Sequence, residues 1–115
     1  MNETQAIAKF KRKFPGDLFY KLHGGRYQSS LPDIIWIRDN RAYFVEFKVV
    51  DNMALHWSKC RLAQDLTLKQ MRKKYDDVFY VVYSKRNDAF YRVNPEDVEE
   101  EKGVDVFSKG LEIKG

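Results

Sequence analysis

The sequence predicts one α/β domain, a central mixed sheet with helices on both faces, and three observations carry that prediction. Apolar residues recur at helical spacing near the N-terminus. The stretch LPDIIWIRDNRAYFVEFKVV, residues 31 to 50, holds two strand-like runs that are apolar on both faces, which marks a covered hairpin. A second helical segment then separates this hairpin from another apolar run, VFYVVY at 78 to 83, and helices set between strands are the pattern of a layered α/β architecture.

Each element has its own local reason. From Asn2 to Phe14, the residues Ile7, Phe10 and Phe14 share one helical stripe, and Asn2 with Gln5 three residues later forms a capping pair. A helix is expected there, ending before Pro15-Gly16. DLFYKL (17 to 22) reads as a strand and HGGRYQSS (23 to 30) as a loop. Two strands follow on either side of Asp39-Asn40, residue types that tolerate the left-handed backbone of a tight hairpin turn. The stretch after Val50 is ambiguous as far as Asp65, and a helix is expected from Thr67 to Tyr75. DVFYVVYS (77 to 84) and AFYRV (89 to 93) read as strands, and NPEDVEEE opens a short helix with Asn94 as cap and Pro95 in the first turn. No repeat or low-complexity linker divides residues 1–115, so a single domain is expected.

Composition narrows the class. With 43% hydrophobic and 33% charged residues the chain is expected to fold rather than stay disordered. No apolar run is long enough to span a bilayer, and MNETQAIAKFKRKF lacks the apolar centre of a secretory signal, so no membrane partner and a cytoplasmic location are expected. The lone Cys60 cannot close an internal disulfide and has no surrounding nucleophile motif, so packing is its expected role. A net charge of +4 favours a polyanionic partner. Basic residues gather at Lys9, Lys11, Arg12 and Lys13, again at Lys69, Arg72, Lys73 and Lys74, and in SKR at 84 to 86. Such clusters either track nucleic-acid phosphates or form the solvated faces of amphipathic helices.

Two carboxylates stand out because apolar neighbours argue for their burial, which costs several kcal/mol for an ionised group unless it is paired or bound to a metal. If Asp39-Asn40 is a two-residue turn, Arg38 faces Arg41, Ile35 faces Phe44, and Asp33 faces Glu46. Opposed like charges are unfavourable unless a cation sits between them. Strand alternation points Lys48 to the same side as Glu46 and Phe47 to the other. Two acids and a lysine at one edge of an apolar hairpin suit a Mg²⁺ site with a cation nearby. The plainer reading is a Glu46–Lys48 ion pair on an edge strand.

Pro32-Asp33 followed by Glu46-Phe47-Lys48 resembles the PD-(D/E)xK nuclease superfamily, and the short chain with SSLPDIIW, AYFVEFKVV and LKQ looks most like the phage VRR-Nuc proteins and the Holliday junction resolvases. The resemblance runs from Glu3 to Tyr83. It implies a restriction-endonuclease-like fold, endonucleolytic hydrolysis of DNA with branched or junction DNA as expected substrate, Mg²⁺ or Mn²⁺ as cofactor, and a homodimer; it is compatible with a phage-encoded enzyme. It makes Asp33 and Glu46 metal ligands with the Phe47 carbonyl beside them, and Lys48 the residue that positions water or stabilises the transition state. Glu3 matches the acid of the first helix, and Gln70 the glutamine that orients active-site groups, with Gln64 a rival. Ser29 and Ser30 match the resolvase serine loop, and Arg26 of that loop joins the basic clusters as a nucleic-acid contact.

Other readings share these residues: a non-catalytic DNA-binding module with a nuclease fold in a larger assembly, and a nuclease acting on RNA. Glu3 alone also fits a first-turn acid favoured by the helix dipole. His56 beside Trp57 is either a wedge into DNA or a surface His next to a buried Trp. His23 before Gly24-Gly25 either binds phosphate or serves a flexible loop. The stretch 51 to 66 is longer than the link common in minimal members of the superfamily, and either contacts substrate or packs.

Overall fold

The computed structural model describes residues 1–22 and 31–115. The expectations for His23, Gly24, Gly25, Arg26, Ser29 and Ser30 lie outside the described residues. Helix α1 (Glu3–Lys13) starts on the predicted capping box, Asn2 Oδ1 accepting from the Gln5 amide and Gln5 Oε1 from the Asn2 amide, each at 2.9 Å. Strands β1 (Leu18–Lys21), β2 (Ile34–Arg38) and β3 (Arg41–Val50) form an antiparallel meander. The β2–β3 turn has Asp39 and Asn40 at φ 50° and 66°, the left-handed pair a tight hairpin needs, and its register pairs Arg38 with Arg41 and Ile35 with Phe44 as expected. After β4 (Ala54–Leu55), a 3-10 turn (Trp57–Lys59) and α2 (Leu62–Arg72), strand β5 (Val78–Ser84) pairs in parallel with β3. β6 (Ala89–Val93) and β8 (Leu111–Ile113) complete a six-stranded mixed sheet in the order β1-β2-β3-β5-β6-β8. Between them β7 (Val104–Asp105) pairs with β4 as a separate two-stranded sheet and leads into the short helix α3 (Val106–Lys109).

Each face of the sheet carries its own core. Ala6, Phe10 and Phe14 of α1 pack on Trp36, Val45, Phe47, Val81 and Phe90, with the Phe10 ring 5.0 to 5.3 Å from those of Phe14, Trp36, Phe47 and Phe90. On the opposite face Leu68 of α2 joins Val50, Leu55, Val78, Tyr80, Val82 and Val106. Every residue of β5 is buried, the expected state of a strand covered on both faces.

Two sequence expectations need correction. α2 begins at Leu62, five residues before the expected Thr67, and ends at Arg72. Arg61 at its N-cap makes no side-chain capping bond, and its buried face includes the polar Gln64 and Asp65, which interrupt the apolar stripe. The helix expected after Asn94 is a single 3-10 turn, Pro95–Asp97, and Asn94 makes no side-chain capping bond to it. In the stretch 51 to 66 Leu55 and Cys60 are buried and Trp57 is partly buried against the same core, while His56 and Lys59 are exposed.

Candidate metal centre

The centre forms where β2 ends and β3 continues with β5 as its one remaining neighbour among the described residues. Ile34 pairs with Val45, so beyond Val45 the β3 backbone has no β2 partner. Asp33 fills that place: its Oδ2 accepts from the Phe47 amide at 2.9 Å. In an extended strand the N–H and C=O of one residue point to the same neighbour, so the Phe47 carbonyl also faces the Asp33 side. α1, whose Phe10 packs on Phe47, brings the first-turn Glu3 to the same point. Glu3, Asp33 and Glu46 each present one carboxylate oxygen, and these oxygens lie within 4.8 Å of one another.

The electrostatics of this cluster are unfavourable as it stands. Glu46 is 2% exposed, and burial, reinforced by the Asp33 charge and only partly opposed by Lys48, pushes its carboxyl from 4.5 to about 8. Lys48 is also buried, with Nζ 3.4 Å from Glu46 Oε2. Glu46 Oε1 has no hydrogen-bond partner among the described residues. Burial also raises the Glu3 carboxyl, as does Asp33, while Lys48 and Lys59 lower it. An unsatisfied buried oxygen within a cluster of three carboxylates fits a hard divalent cation with oxygen ligands. A simple Glu46–Lys48 ion pair leaves Glu46 Oε1 and the approach of Glu3 unexplained.

The remaining expected residues divide. Tyr80, the register partner of Glu46, donates to Asp65 Oδ1 at 2.7 Å, so the first turn of α2 sits at the level of Glu46. Gln64 is in that turn and buried, and its Oε1 lacks a partner among the described residues. Gln70 is exposed, more than a turn further on, in a groove with Leu66, Lys73 and Glu96. The structure therefore brings Gln64, not Gln70, to the level of the acids.

The basic clusters divide too. Lys11 lines a cleft of about 410 Å³ with Glu3, Ile7, Lys21, Asp33 and Ile34. Lys9 is tied to Asp88, and Arg12 and Lys13 border a groove with it. Lys69 is paired with Asp65 at 2.7 Å and Arg72 with Glu96 at 3.2 Å. That end of α2 leads to Tyr75, whose hydroxyl donates to the Ala42 carbonyl near the start of β3, away from Glu46. Lys69 and Arg72 thus serve internal ion pairs, and Lys73, the exposed C-cap, stands at the same remote end.

Two cations near the acids escaped the sequence reading. Lys21 ends β1 beside Asp33, the Leu22 amide donating to the Asp33 carbonyl at 3.0 Å. Its position follows from the pairing of β1 with β2, and the reading of DLFYKL as a strand is the signal that could have found it. Lys59 lies in the stretch 51 to 66, where no local pattern announces its place.

No family model and no curated protein matches the chain. Among solved structures it is similar to a Holliday junction resolvase, Hjc, from the archaeal hyperthermophile Archaeoglobus fulgidus, with a TM-score of 0.68 at 16% identity over 96% of this chain and 93% of that one. At that identity the likeness speaks for architecture, and the six-stranded mixed sheet flanked by helices is the fold the chain shares with Hjc.

Proposed function

We propose that this chain is a divalent-metal-dependent endonuclease that hydrolyses DNA phosphodiester bonds, acting on branched or junction DNA. The observation that carries this reading is the convergence of Glu3, Asp33 and Glu46 within 4.8 Å, beside the buried Lys48. Those three carboxylates would hold Mg²⁺ or Mn²⁺, with the Phe47 carbonyl on the same side. A cation held there would supply Lewis-acid stabilisation of phosphate charge and lower the pKa of a water. Lys48 sets a positive charge against the negative charge that develops on the phosphate. Gln64 orients groups from the start of α2. Asp33 positions the β3 backbone through the Phe47 amide as well as offering a ligand oxygen.

Junction DNA is favoured among substrates by the fold shared with Hjc, described as a Holliday junction resolvase. A homodimer, which matches two cuts on two strands, is supported by Leu18 and Tyr20 of β1, each 53% exposed.

The test is cleavage of labelled four-way junction, flap, single-stranded and duplex DNA, and of matched RNA, with and without Mg²⁺. Metal-dependent cleavage preferring the junction is expected, and Asp33→Asn should abolish cleavage while leaving DNA affinity equal or higher, since it removes a charge that repels phosphate. DNA binding without cleavage of any substrate by the wild type would instead identify a non-catalytic module, and preferential RNA cleavage an RNA nuclease.

A further inference from the structure

We infer that Lys21 and Lys59 grip the backbone phosphates on either side of the phosphodiester that is cut, Lys21 from the β1 side of the acids and Lys59 from the β3 side. The inference rests on the nuclease reading and names the groups that hold its substrate.

Lys21 sits at the end of edge strand β1, opposite Ile34 and next to Asp33, and lines the cleft that opens at Glu3 and Asp33. The floor of that cleft is apolar, from Ile7, Ala8 and Ile34, so a sugar can pack where the ammonium meets a phosphate. Lys59 ends the 3-10 turn after β4. Its Nζ donates to the Val49 carbonyl at 3.3 Å, which anchors the side chain at the end of β3, one residue past Lys48. Both lysines are exposed, and neither forms an ion pair among the described residues, unlike Lys9, Lys69 and Arg72. A lysine without an internal acid keeps its full charge for a phosphate.

The segment that carries Lys59 is held rather than loose. β4 pairs with β7, the Val106 amide donates to the Met53 carbonyl at 2.7 Å, and the buried Cys60 follows directly. Lys59 is thereby presented from a fixed base.

The experiment measures binding of a fluorescein-labelled DNA duplex and four-way junction to full-length protein in Ca²⁺ at several salt concentrations. Lys21→Gln and Lys59→Gln are compared with Lys102→Gln, a charge-matched control on the surface remote in sequence from the acids. Each of the first two should reduce the slope of log affinity against log salt by about 0.9 on duplex DNA, and Lys→Arg should restore it. In single-turnover cleavage with Mg²⁺ the half-saturating protein concentration should rise on the order of tenfold while the saturated rate stays within about twofold, the signature of lost uniform binding. Lys21→Met and Lys59→Met, which keep the aliphatic stem, repeat the test should either Gln variant fold poorly. Wild-type slopes in these variants, or a loss no larger than that of Lys102→Gln, would overturn the inference and leave the nuclease reading standing. A wild-type protein that neither binds nor cleaves DNA would overturn both.

Discussion

Glu46 offers the sharpest test of the centre, because its burial turns a question about metal binding into one about stability. In the metal-free protein its carboxyl stays protonated to about pH 8, whereas in the unfolded chain it ionises near 4.5. Between those values the folded protein carries a proton that the unfolded chain has lost, so stability falls as pH rises through that window. Each pH unit costs about 1.4 kcal/mol, so by pH 7 the loss is about 3 kcal/mol, or roughly 10 °C in melting temperature for a domain of this size. Glu46→Gln keeps an oxygen to accept from Lys48 and has no charge to bury. It should therefore melt higher than the wild type in EDTA at pH 7 to 8, with the two curves converging near pH 5. Added Mn²⁺ should raise the wild-type midpoint and leave that of Glu46→Gln unmoved. Thermal unfolding by circular dichroism at pH 5, 6, 7 and 8, with EDTA or Mn²⁺, reads all three outcomes. Wild-type stability that holds or rises between pH 5 and 8 without metal, or a Mn²⁺ shift that survives the substitution, would refute the reasoning.

Other consequences are as direct. Glu3→Gln should lower single-turnover cleavage at least about tenfold, equivalent to roughly 1.4 kcal/mol in the barrier, with little change in melting temperature; an unchanged rate would reduce Glu3 to a helix-dipole residue. Gln64→Ala should slow cleavage on the order of tenfold, while Gln70→Ala, at an exposed position, should change it less than about twofold; the reverse order would return the role to Gln70. Gly103→Ala should cost about 2 kcal/mol or more in urea unfolding. Its added Cβ would meet the Leu55 carbonyl oxygen at 2.1 Å, from a backbone φ of +88°.

What the sequence announces and what it conceals follow from the range of the interactions involved. The β2–β3 register was legible because Asp39 and Asn40 fix a two-residue turn and every pairing then follows by counting, which also brings Asp33 to β3. The α1 capping box was legible because both partners lie within one turn. α2 was misplaced for an equally local reason: it starts without a capping side chain, and Gln64 and Asp65 occupy buried positions where a periodic pattern calls for apolar residues. Asp65 is tolerated there because Tyr80 donates to its Oδ1 and the Lys69 ammonium offsets its charge, and neither partnership is visible before the fold is known. β4, β7 and β8 are two or three residues long, too short for any alternation to register, and their pairing is decided by distant chain. The basic run at 69 to 74 shows its charge in the sequence, whereas the pairing of Lys69 with Asp65 and of Arg72 with Glu96 shows only in the fold.

The β4–β7 pairing also has a consequence in time. It joins residues separated by about fifty positions, whereas the β2–β3 hairpin joins immediate neighbours, and closure of the longer loop is the entropically dearer and slower event. Asp33 and Glu46 can meet as soon as the hairpin closes. The base that carries Lys59 takes its final form only when the segment from Val104 to Val106 docks on Met53, Ala54 and Leu55. The Asp33–Glu46 pair and the seat of Lys59 therefore form on different clocks, the first set by a two-residue turn and the second by the docking of distant chain.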